Sequence, residues 1–169
     1  MNRTTIMRAF SLVEVVIAVG IFAVAVTGIL ALLPTLTRQN LETADQAVAL
    51  RLPAALEVEL SHMIKTSGFD SVALSIPVLS SPLETGMECV ATHDGSALTS
   101  AAASSISDGE RYFLLEIWRF DHAPLAYDPA DAVLAVYVRV SWPYRVPGAA
   151  EPTGNQTRNE IGWTLAINR

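Results

Sequence analysis

Residues 15–33 read VVIAVGIFAVAVTGILALL, nineteen in succession without a charge and with Thr27 as the only hydroxyl. As a helix at about 1.5 Å per residue this stretch is roughly 28 Å long, close to the hydrocarbon thickness of a bilayer. Arg3 and Arg8 precede it, and Arg38 is the only basic residue for some distance after it. That bias predicts a cytoplasmic N-terminus and a chain that lies across the membrane after Pro34. A cleavable secretory signal is the first rival reading, with Ala23-Val24-Ala25 as the cutting site. It would leave VTGILALL as an apolar new N-terminus, and Glu14 would sit near the start of the apolar core. An uncleaved signal anchor is the second, and it leaves Glu14 unexplained. A carboxylate in a membrane segment costs roughly 2.5 to 3.5 kcal/mol, so Glu14 needs a partner or a function.

The whole chain has 169 residues, of which 51% are hydrophobic and 17% charged, with a formal net charge of −6. Its single cysteine, Cys89, cannot close a disulfide within the chain, and no Cys/His pattern suits structural zinc. An acidic balance argues against nucleic-acid binding, which needs clustered Lys and Arg.

Upstream of the apolar run, residues 9–22 read AFSLVEVVIAVGIF. This segment resembles the N-terminal processing and methylation motif of type IV pilins and type II secretion pseudopilins. The resemblance implies a leader of residues 1–9, cleavage between Ala9 and Phe10 by a prepilin peptidase, and methylation of Phe10. Glu14, fifth residue of the mature chain, then matches the family's glutamate; Ala9 stands where the family usually has Gly. Cleavage there would leave a free amine at Phe10 for Glu14 to neutralise, in its own chain or a neighbour, within a low-dielectric helical core. The simpler role for Glu14 is to complement the helix dipole in the first turn. Gly20, Ala23, Thr27 and Ala31 recur at helical spacing as a small-residue stripe that would let helices approach closely. Within the family, Ile21-Phe22-Ala23 and the run VRVSWP at 138–143 look most like the minor pseudopilin I and minor pilin V types. The chain is also similar to prepilin-type proteins of the Verrucomicrobia cassette, in particular its B member.

After Pro34 a helical period resumes through Leu41, Ala44, Val48 and Leu52, and again through Leu56, Leu60, Met63 and Ile64. Bending or partial unwinding is expected near Pro34. At Pro53 either one helix kinks or two abut, with Pro53 in the first turn of the second. Gly68 is the expected stop. Residues 68–110 read as a variable loop with a hairpin at 88–95 ending in Asp94-Gly95, and 96–107 as poorly ordered. Three strands are expected at 112–120, at 133–142 with Leu134, Val136, Val138, Val140 and Trp142 on one face, and from Ile161 to the end. The fold class is therefore α+β: a transmembrane or filament-core helix at 10–33 and an amphipathic helix at 34–67, packed on a small antiparallel meander at 111–169. This matches the pilin-like architecture that the resemblance implies.

Other chemistry is sparse. His62, His93 and His122 lack metal-ligand spacing, and Glu57 and Glu59 point to different helix faces. Asp121, Asp128 and Asp131 share one loop but fit no known calcium-loop spacing, so a solvated acidic loop is the better reading. Asn155-Gln156-Thr157 is a glycosylation-type sequon, and Cys89 reads as a small buried residue. No catalytic residue, metal site or cofactor is expected. The expected function is that of a minor pilin or pseudopilin. Its partners would be prepilin peptidase, other pilin or pseudopilin subunits, an inner-membrane assembly platform and lipid. It would sit in a bacterial inner membrane with its C-terminal headgroup in the periplasm, and afterwards in a filament. A signal-anchored periplasmic binding module that does not polymerise is the alternative.

Overall fold

The computed structural model describes residues 11–81, 84–102, 105–144 and 158–169. Two compact units divide at Ala44/Asp45, and each is described by itself. The described part of the first is helical from Leu12 onward. Helix α1 runs Leu12–Ala49 and is unbroken at Pro34, so the unwinding expected there does not occur. Proline deletes only one rung of the ladder, the bond to the Leu30 carbonyl, and the strong helix formers around it carry the turn.

The second unit begins with the end of α1. Arg51 N–H donates to the Val48 carbonyl at 2.9 Å and Ala54 N–H to the Arg51 carbonyl at 3.2 Å, a tightened turn between two helices. Helix α2, Leu52–Ser67, carries Pro53 in its first turn, where no N–H is needed, so two helices abut there. Leu52, Leu56 and Leu60 form its buried stripe. Gly68 ends it at φ +88°, a conformation that side chains resist, and donates its N–H to the Ile64 carbonyl at 2.8 Å.

The segment expected to be a variable loop holds three elements. A short helix α3, Phe69–Ser75, buries Phe69, Val72 and Ala73. With Ile76, these residues are spaced i, i+3, i+4, i+7, a helical signal too brief to stand out from a polar surrounding. The expected hairpin is present: β1, Met87–Thr92, and β2, Leu98–Ser100, pair antiparallel. Gly95, at φ +68°, lies in the turn between them. The stretch 96–107 is thus partly a strand, and Ile106 within it is buried.

Strands β3, Arg111–Arg119, β4, Val133–Trp142, and β5, Asn159–Asn168, complete one sheet of order β2-β1-β3-β4-β5. All its neighbours are antiparallel. The expected alternation in β4 holds: Leu134, Val136, Val138, Val140 and Trp142 all lie in the core that the α2 stripe covers. Cys89 is buried in the same core, and that burial, with the nearby Glu59 charge second, pushes its thiol up to about 12. This is the α+β architecture of helix on antiparallel sheet expected from the sequence.

The outer face of the sheet is also covered. Val90, Leu114, Ile106 and Tyr144 form a small second cluster. Beside it Glu116 accepts from Arg139 Nη2 at 2.6 Å and Nε at 3.1 Å, and the Arg139 guanidinium lies 5.2 Å from the Trp118 ring. Glu88 stands directly opposite Glu116 in the ladder. Burial, and secondly the Glu116 charge, hold the Glu88 carboxyl above the ordinary glutamate range. A raised carboxyl binds its proton more tightly in the folded chain, so this group's effect on stability becomes unfavourable as pH rises through its titration. Glu88→Gln should therefore raise the urea midpoint at pH 7, and the gain should shrink near pH 4. An equal midpoint shift at both values would contradict this assignment.

Candidate functional site

The apolar run lies wholly in α1. Apart from Val26, every side chain from Ser11 to Ala44 is exposed. Ile21, Phe22 and Val24 are 67%, 70% and 75% exposed. Each large apolar side chain gains roughly 1.5–3 kcal/mol on leaving water, so apolar surroundings such as a bilayer would stabilise this segment. The helix is long and apolar enough to cross a membrane. Thr27, the hydroxyl within the run, satisfies itself by donating to the Ala23 carbonyl at 2.8 Å. An ideal Cβ at Gly20 or Gly28 would meet nothing within 4 Å, so the small-residue face is open.

The start of α1 is built as a reciprocal cap. Ser11 Oγ accepts from Val13 N–H at 3.3 Å, and Ser11 N–H donates to Glu14 Oε2 at 3.2 Å. Ser11-Leu12-Val13-Glu14 is therefore a capping box, which also sets a negative charge at the positive end of the helix. This arrangement is compatible with the helix-dipole role expected of Glu14; the pairing role involves Phe10, which lies outside the described residues. Ala9 and Phe10, the expected processing residues, lie outside the described residues, as do leader residues 1–8 and the sequon 155–157.

The candidate headgroup residues do not converge. Among the described residues, no group of three or more His, Cys, Asp or Glu is placed to hold a metal ion. Asp128 Oδ1 accepts from Ala130 N–H at 2.8 Å, a local turn. His62 and His122 contribute backbone carbonyls to hydrogen bonds with Thr66 and with Leu125 and Ala126.

His93, which lacks metal-ligand spacing, nevertheless has side-chain partners. Its Nε2 lies 3.1 Å from Asp45 Oδ1 at the end of α1, and its ring meets the Tyr112 ring nearly edge-on, with centroids 4.3 Å apart. Tyr112 donates its hydroxyl to Asp45 Oδ2 at 2.6 Å; burial first, and that bond second, push the phenol up to about 12. The three residues come from α1, the β1–β2 turn and β3. Nothing in their local sequence announces the meeting, because Asp45 and Tyr112 are 67 positions apart.

At the other end of the headgroup, Asp70 in α3 accepts from Tyr127 at 2.6 Å and from Arg169 Nη2 at 2.8 and 2.9 Å. The Arg169 guanidinium lies 5.3 Å from the Phe69 ring. This network ties α3 to the loop before β4 and to the residue after β5.

The chain matches no family model, no curated protein and no solved structure.

Proposed function

We propose that this chain is a minor pilin or pseudopilin, a structural subunit inserted in a bacterial inner membrane and then assembled into a filament through its N-terminal helix. The observation that carries the reading is the coupling of AFSLVE at 9–14 to nineteen uncharged residues that, Val26 apart, α1 leaves exposed. In this reading prepilin peptidase cuts between Ala9 and Phe10, and the amine of Phe10 then stands immediately before the capped turn. The exposed apolar face serves twice, first against lipid and then against neighbouring subunits. The arginines of the leader favour a cytoplasmic N-terminus and a periplasmic headgroup.

The mature N-terminus, determined by mass spectrometry from a host with an active prepilin peptidase, tests the processing step. A methylated Phe10 is the expected result; a start at Val26 or an intact Met1 would sink it. One observation bears on the alternative of a membrane-anchored binding module: Glu14 accepts a hydrogen bond from Ser11 N–H within its own chain, which gives it a capping role that needs no neighbour. Two substitutions separate the roles. Glu14→Gln keeps a capping side chain and loses the charge, whereas Glu14→Ala loses both. For a subunit that needs the charge, both variants should insert normally and show at least a tenfold loss of incorporation into filaments. Full incorporation of Glu14→Gln would reduce Glu14 to a cap.

A further inference from the structure

We propose that His93 is a proton-operated latch that fastens the β1–β2 hairpin to the helix at Asp45. The inference is independent of whether the chain polymerises. The hairpin turn packs against the helices: an ideal Cβ on Gly95 would lie 3.0 Å from Val48 Cγ1 and 3.5 Å from Leu52 Cδ2. Beside that contact, the His93–Asp45 pair is the link between turn and helix whose strength depends on a proton.

The geometry is prepared for a cation. Asp45 is held in place by the Tyr112 hydroxyl whether or not His93 is charged, and its side chain is only 13% exposed. The neutral imidazole can donate Nε2–H to Oδ1. Protonation turns that contact into a charge-assisted bond, with the positive charge 3.1 Å from an acceptor already oriented to receive it. The imidazole itself is 63% exposed, so protons reach it freely and solvent screens the gain.

A shallow groove beside His93 is lined also by Asp94, Glu110 and Arg111, and these charged groups are already engaged. Asp94, next in the turn, accepts from the Thr92 hydroxyl at 2.7 Å and from Ser96 N–H and Oγ at 3.1 and 2.9 Å. These donors, Thr92 foremost, hold its carboxyl down at about 2, so it stays ionised from pH 8 to pH 5. Glu110 accepts from Ser107 Oγ at 2.6 Å, and Arg111 pairs with Asp108 at 3.0 Å. Asp45 from α1 and Tyr112 from β3 complete the surroundings. His93 is thus the group whose change of charge is felt at the hairpin tip.

Acidification should therefore close the hairpin on the helix, and alkalinisation loosen it. Amide hydrogen exchange of the full chain in detergent micelles, followed from pH 8 to pH 5 and corrected for intrinsic exchange chemistry, reads this directly. The amides to follow are those of Thr92, Gly95 and Ala97, which close the turn onto the Ala97 carbonyl, the Thr92 carbonyl and the Thr92 hydroxyl. Their protection should rise about two- to fivefold as pH falls, the range of an exposed ion pair. His93→Gln, which retains a donor but cannot titrate, should give flat protection. Asp45→Asn should flatten it too. Protection that does not change with pH in the natural chain, or that changes equally in His93→Gln, overturns the latch.

Discussion

Trp118→Ala should lower the unfolding free energy by about 3–5 kcal/mol, the range for deleting a fully buried aromatic ring. Trp118 is 0% exposed although it projects from the face of β3 opposite the α2 stripe. Its Nε1 donates to the Glu84 carbonyl at 2.9 Å, and its ring stacks on Tyr137 at a centroid separation of 5.9 Å. Backbone packs tightly against it: an ideal Cβ on Gly86 would come within 2.8 Å of Trp118 Cε2 and of the Ile117 carbonyl oxygen. Only glycine allows that approach. Removing the indole therefore leaves a cavity, an unsatisfied Glu84 carbonyl and an Arg139 that has lost the surface beneath it. Trp118→Phe keeps most of the ring and loses the donor, and about 1–3 kcal/mol is expected. Urea unfolding followed by circular dichroism checks both. A loss below 1 kcal/mol for Trp118→Ala would mean that the outer face contributes little to the headgroup.

Leu56→Ala should cost about 2–5 kcal/mol on the other side of the sheet. Leu56 is fully buried at the middle of the Leu52, Leu56, Leu60 stripe, in one cluster with Leu115, Val136 and Val138. Val58, 71% exposed on the same helix, supplies the control. Val58→Ala should stay within about 0.5 kcal/mol of the natural chain. Membrane insertion should be unchanged in both, because residues 15–33 form their own exposed segment. A Leu56→Ala chain that unfolds normally but no longer fractionates with membranes would contradict that independence.

The two substitutions also mark the limit of what alternation reveals. In β4 the strict period of two singles out Leu134, Val136, Val138 and Val140, and each is buried in the main core. In β3 no such period exists. Residues 113–118 are all buried, Phe113, Leu115 and Ile117 in the main core and Leu114, Glu116 and Trp118 in other surroundings. A strand that is apolar on both faces is recognisable as buried, yet nothing local says what will cover the second face. Glu116 is legible only after the register has placed it opposite Arg139.

The candidate functional segment was legible almost entirely from local sequence, because helix capping, length and the absence of charge are properties of contiguous residues. The Ser11–Glu14 cap was not among the expectations, although its S-x-x-E spacing carries the signal; its hydrogen bonds appear only in the structure. Helix α3 had a signal of only two turns. The meeting of Asp45, His93 and Tyr112 had none.

What the sequence determined by itself, then, is the membrane-length helix, its capped start, the α2 stripe and the alternating strand on which that stripe rests. These features are periodic or contiguous, and backbone geometry alone converts them into structure. Tertiary structure decided the outer cover of the sheet around Trp118, the anchoring of Arg169 on Asp70, and the placing of His93 against Asp45. The contact between Asp70 and Arg169 joins residues 99 positions apart. Such contacts depend on strand register and on where a turn lands against a helix, and those are set by the packing of the whole headgroup.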